Sequence, residues 1–281
     1  MTALHPLGVE RLCVFGMPPV EFAGLAAELG CRYIGTGLTA MRYYNPHSYA
    51  DWSLRDDAAL RRATLAAMRD HGVSISLCEG FGVRPTADVS ACASDLDIVG
   101  ELGAKRINAA SIDRDLTRTF DQFAKLSEMC AARDIEMTIE IGPGPINNLD
   151  SALAAIHHSG RANFRLLIDT MHYFRFGGSV AALAAIDPDL IGYVQLCDAR
   201  TEPAFKTYMQ EALHERMAPG EGELPLRELL AIVPDKVVVS LEIPQRSLAE
   251  RGLGPRERVG ACVRAARQML AEVRSGRASA M

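Results

Sequence analysis

A single (β/α)8 TIM barrel, in the α/β class, is the fold this 281-residue chain predicts, and three observations predict it. Eight short β-rich runs alternate with helical patterns along the whole length. Several helices stop at a glycine that leads directly into the next strand. No composition shift or linker of domain size interrupts the series. Strictly alternating units imply parallel strands with right-handed crossovers, and eight of them close a barrel of ordinary size. An open doubly wound sheet is the rival, but it would carry a glycine-rich nucleotide turn after an early strand, and "FGMPP" after the first run is no such turn. The barrel is expected to span 1–274, with a frayed tail at 275–281.

The first run is "RLCVFG" from Arg11, followed by a helix with Phe22, Leu25, Ala26 and Leu29 on one face, ending at Gly30. "CRYIGTG" from Cys31 is the second strand, and a helix over Asp57 to His71 stops at Gly72. "SISLCEG" and a helix over Val89 to Leu102, stopped by Gly103, make the third unit. "KRINAAS" leads to a helix with Leu116, Phe120, Phe123 and Cys130 on one face. "EMTIEIG", "FRLLIDT", "IGYVQLC" and "VVVSLEIP" are the last four strands. Their helices lie near Asn148 to His157, Ser179 to Ile186, Leu226 to Ile232 and Pro255 to Val273. Even the joints repeat, since "ELGCRYI" at Glu28 and "ELGAKRI" at Glu101 are the same helix-end, glycine, strand-start unit.

Composition narrows the function. Hydrophobic residues at 48% and charged residues at 23% supply a large core and exclude a disordered chain. The net charge of -5, with no run of Lys or Arg, argues against a nucleic-acid surface. The N-terminus lacks a basic leader with a long apolar stretch, and no apolar segment reaches the roughly 18 residues of a membrane span. A soluble, cytoplasmic protein is expected, with no nucleic-acid or membrane partner. The seven cysteines are scattered and never spaced as CxxC, so neither a disulfide framework nor a zinc knuckle is indicated.

Alternation along a strand then singles out four residues. Glu140 in "MTIEIG" shares a face with Thr138 and opposes Met137 and Ile139, so it points into the barrel. The same reasoning turns Asp169 of "LLIDT", Gln195 of "YVQLC" and Glu242 of "SLEIP" inward. Four consecutive strands each end in one inward polar residue at the end of the barrel where active sites form. Three buried carboxylates converging there would repel one another unless a cation sat between them. Three carboxylates and an amide are an oxygen-only donor set, which favours Mn²⁺ or Mg²⁺ and allows Co²⁺ or Zn²⁺ less readily.

At these residues the chain resembles the xylose-isomerase-like TIM-barrel superfamily, which includes ketose epimerases, inosose dehydratases, 3-dehydroshikimate dehydratases and, more distantly, endonuclease IV. The resemblance covers nearly the whole chain. It implies one divalent cation held by Glu140, Asp169, Gln195 and Glu242, with Gln195 in place of the commoner His. Some dehydroshikimate dehydratases also have Gln there. The resemblance further implies that His172 of "DTMH" contacts substrate, and that Arg216 of "HERMAPGEG" reaches it. A guanidinium suits a carboxylate or several hydroxyls. Glu79, at the end of the third strand, is a candidate for the same pocket, as is Asn108.

The implied activity is that of a metal-dependent isomerase or epimerase acting on a small polyhydroxy ketone or keto acid. Glu140 and Glu242 would exchange a proton with the carbon beside the carbonyl, through an enediolate, with His172 assisting at an oxygen. A dehydratase (lyase) of the 3-dehydroshikimate or inosose type and a non-catalytic sugar-binding barrel stay open as alternatives. An endonuclease would need more His and Asp ligands and a basic face. The aromatic-rich loop 41–52 suits either a lid or a contact in a homo-oligomer.

Overall fold

The computed structural model describes residues 6–41 and 44–280, apart from the side chains of 278–280. Eight parallel strands close a barrel in sequence order. β1 (Leu7–Glu10) leads to α1 (Pro19–Glu28), β2 (Tyr33–Gly37) to α2 (Ala58–His71), and β3 (Ser74–Val83) to α3 (Ala93–Glu101). β4 (Arg106–Ser111) leads to α4 (Leu116–Ala131) and β5 (Glu136–Glu140) to α5 (Leu149–Ser159). β6 (Phe164–Asp169) is followed by two short helices, α6 (Thr170–Arg175) and α7 (Val180–Ala184). β7 (Ile191–Leu196) is followed by α8 (Tyr208–His214) and α9 (Leu226–Ile232). After β8 (Val238–Leu241) come α10 (Arg246–Glu250) and the long α11 (Pro255–Ala280).

Local signals set the helix ends. Asp57, Asp115 and Asn148 cap α2, α4 and α5 by accepting hydrogen bonds from backbone N–H groups of the first turn. Gly72 and Gly160 end α2 and α5 in the left-handed conformation. The apolar faces pack as one layer between strands and helices, from Phe22 of α1 to Met269 of α11. No helix among the described residues is long and apolar enough to cross a membrane.

Two sequence expectations are corrected. The first strand is "LGVE" rather than "RLCVFG", and Arg11–Val14 forms a 3₁₀ turn. Leu12, Cys13 and Val14 are buried all the same, because the turn tucks beyond the strand end and Cys13 Sγ donates to Leu241 O at 3.1 Å. Apolar character there reports burial, not extension. Leu116, assigned to the buried face of α4, is 44% exposed. It sits in the first turn, where it borders an open cleft with Ile112, Arg114 and Pro143, and Leu126 fills the core further along.

Polar side chains also lie inside the barrel. Leu77, Leu167 and Tyr193 form a small apolar cluster, beside which Glu10 is fully buried. The Tyr193 hydroxyl donates to Glu10 Oε1 at 2.7 Å and meets Ser76 Oγ at 2.7 Å. Room for these side chains comes from β2. A Cβ on Gly35 would lie 1.4 Å from Glu10 Oε2, and one on Gly37 would lie 1.9 Å from Arg11 Nη1. The "GTG" of that strand is therefore a gap shaped for a carboxyl and a guanidinium.

Candidate active site

Strand register gathers the inward polar residues at one end of the barrel. Asp169 and Gln195 are direct partners across β6 and β7, and Gln195 is in register with Ser240, two residues before Glu242. Glu242 lies one residue past β8, tied back by its N–H to Leu196 O at 3.2 Å. Glu140 ends β5. Asp169 does two jobs, since it ends β6 and caps α6, with Oδ1 accepting the His172 N–H at 2.9 Å. That cap turns the chain so that His172 falls in the first helical turn, over the barrel mouth.

Glu140, Asp169 and His172 each offer one ligand atom, and these atoms lie within 4.8 Å of one another. Gln195 and Glu242 adjoin this trio. Gln195 Nε2 donates to Glu79 Oε1 and to Glu242 Oε1, each at 3.2 Å. Asn108 Nδ2 donates to Glu140 Oε2 at 3.1 Å. Glu79 Oε2 pairs with Arg11 Nε at 3.2 Å. A cleft of about 220 Å³, lined by Glu140, His172, Ser111, Ile112 and Pro143 among others, opens onto the trio.

Arg216 is buried at the centre of the cluster. Its Nη1 pairs with Asp169 Oδ2 and lies 3.1 Å from Glu242 Oε2, while Nε donates to Ala212 O at 2.9 Å. Nη2 meets His172 Nε2 at 3.3 Å. The segment carrying it is pinned on both sides, by Arg216 N to Pro244 O and Met217 N to Asp198 O. The "PGEG" that follows is a turn around Asp198. The Asp198 carboxylate accepts from Gly220 N at 2.9 Å, and a Cβ on Gly222 would stand 2.4 Å from its Oδ1.

The environment separates these groups by proton affinity. Burial, then the charge of Asp169, raises the Glu140 carboxyl to about 8. Burial also pushes Glu242 well above the carboxylate range, against the charge of Arg216, and Glu79, Asp169 and Glu140 add to the rise. Asp169 suffers the same burial, but Arg216 and His172 hold it down to about 2. Burial, with Arg216 nearby, lowers His172 to about 4, so its imidazole is neutral at physiological pH. His172 Nε2 lies 3.3 Å from both Arg216 Nη2, a donor, and Glu140 Oε1, and its tautomer sets which of the two it bonds.

The charge balance bears on whether a cation fits. Among the described residues, the carboxyl groups of Glu79, Glu140, Asp169 and Glu242 meet the guanidiniums of Arg11 and Arg216. With that deficit of positive charge, Glu140 and Glu242 retain protons. A divalent cation is the chemical complement of such a site, and the hard oxygen donors present suit one.

The structure therefore brings Glu79, Glu140, Asp169, His172, Gln195, Arg216 and Glu242 into one contiguous cluster. Arg216 sits against the protein's own carboxylates. The tyrosine Tyr208 was missed by sequence reasoning; its hydroxyl meets His172 Nδ1, and its ring packs edge-on to Phe176 at 5.5 Å. It opens the short helix α8, where no strand alternation marks it. Glu10 and Arg11 were missed because the first strand was misplaced. Of the aromatic loop, Arg42 and Tyr43 lie outside the described residues. Tyr44 packs edge-on to Phe15 at 4.9 Å, under the Arg246 guanidinium, and Trp52 Nε1 donates to Gly16 O at 3.1 Å.

A family model described as a xylose isomerase-like TIM barrel matches residues 23–268. Among solved structures, the zinc-bound IolI protein superposes with a TM-score of 0.78 at 16% identity, over 95% of this chain and 99% of that one. A D-psicose 3-epimerase from Clostridium cellulolyticum H10, solved with D-tagatose, gives 0.70 at 12% identity, over 94% and 99%. The probable 3-DHS dehydratase AsbF of Bacillus anthracis, involved in petrobactin synthesis, gives 0.69 at 13% identity, over 92% and 97%. At such identities these likenesses carry the fold alone. No curated protein matches the sequence.

Proposed function

We propose, from the premise that the chain belongs to the xylose isomerase-like TIM-barrel family, that it is a divalent-cation-dependent isomerase or epimerase of a small polyhydroxy carbonyl compound. The observation that carries this reading is the convergence of Glu140, Asp169, Gln195 and Glu242 at one end of the barrel, with ligand atoms of Glu140, Asp169 and His172 within 4.8 Å of one another. Glu140 and Glu242 hold protons while Asp169, between them in the same cluster, stays ionised. Such a cluster is short of positive charge, which a divalent cation supplies.

Glu140, Asp169, Gln195 and Glu242 would hold the cation, Mn²⁺ or Mg²⁺ on donor chemistry, and the chemistry it supplies is polarisation of a carbonyl and its neighbouring hydroxyl. Glu140 and Glu242 take and return a proton at the adjacent carbon, passing through an enediolate. His172 assists at a substrate oxygen. Arg216 keeps Asp169 ionised and orders the mouth, and Glu79 and Asn108 line it. The relatives in hand include an epimerase and a probable dehydratase, so both reaction types occur on this scaffold. Gln195 supports the dehydratase as the second reading.

The test is proton NMR of the Mn²⁺-supplied protein, quenched with chelator, after incubation in D₂O with ketoses, inososes and 3-dehydroshikimate. Deuterium uptake with a rearranged sugar, lost in Glu140→Gln, is the expected result. New olefinic or aromatic signals would move the assignment to the dehydratase. No change across the panel would count against turnover and favour a sugar-binding barrel.

A further inference from the structure

Beyond Glu140 and His172 the cleft at the barrel mouth continues into a larger one of about 470 Å³. Ile112, Pro143 and Gly144 border both, so the two form one continuous depression. The larger part alone falls within the roughly 300–1,000 Å³ of pockets that hold drug-sized ligands. Its wall is apolar, built from Ile112 and Leu116 on one side and Pro143 and Pro145 on the other. Ile112, 61% exposed, and Leu116 are, with Met209 of α8, the large apolar side chains left exposed among the described residues.

Hydrogen bonds within the two loops hold this wall in shape. After β4, Ile112 N donates to Val83 O at 3.1 Å and Asp113 N to Ser111 Oγ at 3.1 Å. After β5, Gly142 N donates to Ile146 O at 3.0 Å, and Gly144 comes so near β4 that a Cβ there would stand 2.9 Å from Ser111 O. Pro143 and Pro145 have no N–H, and none of the wall's side chains can donate or accept. A polyol laid against it would lose water without gaining partners, whereas an apolar group gains by burial.

One charge borders the wall, the Arg114 guanidinium. The acids beside it in sequence are engaged elsewhere. Asp113 pairs with Arg118, and Asp115 caps α4 by accepting from Arg118 N at 3.1 Å. Arg114 has no ion pair or side-chain hydrogen bond among the described residues, so its donors are open to a ligand.

We propose that the substrate is not a free sugar but carries, beyond its polyhydroxy carbonyl portion, an apolar segment that lies against Ile112, Leu116 and Pro143 and ends in an anionic group bound by Arg114. A carboxylate and a phosphate both match the guanidinium fork. The proposal rests on the isomerase reading for the reacting portion, while the anion site itself is tested by binding alone.

The experiment is calorimetric titration of the full chain, supplied with Mg²⁺, with benzoate and phenyl phosphate as probes. Benzamide and inorganic phosphate are the controls for the apolar and the anionic part alone. At least one probe is expected to bind about fivefold tighter than either control, and the tighter probe identifies the anion as carboxylate or phosphate. Arg114→Gln and Leu116→Ser should each weaken that probe about fivefold. Probes that bind no better than the controls would overturn the proposal, as would binding that Arg114→Gln leaves unmoved. Sedimentation showing a parent dimer that Leu116→Ser dissociates would also overturn it, since a second copy would then cover the wall. Arg114-dependent binding with no exchange in the D₂O panel would leave the anion site standing and remove the isomerase reading. Exchange of free ketoses with Arg114-independent binding would do the reverse.

Discussion

Glu10 shows how much a single side chain can be shaped by its surroundings. Its carboxyl is fully buried in the barrel, and burial, followed by the nearby charge of Glu79, raises it to about 8. The native state therefore holds a proton that the unfolded chain releases near 4.5. Stability from this group is fully present below the unfolded value and is lost as pH rises through about 8. Glu10→Gln keeps an acceptor for Tyr193 but cannot ionise. Thermal melts between pH 5 and 9 should show the parent losing stability with pH more steeply than the variant. Parallel profiles would show that the Glu10 carboxyl is not raised above its unfolded value in the barrel. Legibility differed sharply at this scale. Glu140, Asp169, Gln195 and Glu242 interrupt apolar strands, and alternation alone turns them inward. Tyr208 gives no such signal, because its position depends on the Arg175–Glu211 pair and not on its own neighbours in sequence.

Strands and helices were legible where local chemistry fixed their ends. The glycine stops read at Gly30, Gly72 and Gly103 follow helix ends that hold in the fold. β1 was not legible, because a buried acid ends the real strand while three buried apolar residues lie in the turn beyond it. The short α6, α8 and α10 escaped because each is an extra turn outside the one-strand, one-helix alternation the sequence was read by. β2 yields an element-scale prediction. Gly35→Ala forces a methyl into the Glu10 carboxyl and should cost about 1–3 kcal/mol. Gly100→Ala in α3 meets nothing within 4 Å and should stabilise by about 0.5–1 kcal/mol. Urea denaturation of both variants checks the opposite signs; equal effects would mean that the space around Gly35 is not shaped by Glu10.

For the molecule as a whole, closure of the eight-stranded barrel converts four separate strand ends into one site. The alternating pattern of the sequence was enough to anticipate that architecture, since each βα unit repeats the same local rules. What it could not anticipate is the placement of Arg216, which reaches Asp169 and Glu242 from a segment pinned between the exits of β7 and β8. The barrel mouth so built retains protons on Glu140 and Glu242 that a cation must displace. Below about pH 8, binding should therefore release protons and strengthen as pH rises. Calorimetric titration of Mn²⁺ into the parent, Asp169→Ala and Glu242→Ala, at pH 6.5 and 8.5, tests the cation site most directly. The account predicts tighter binding by the parent at the higher pH and at least about tenfold weaker binding by both variants, with the fold intact by circular dichroism. A variant that binds Mn²⁺ as tightly as the parent would contradict it.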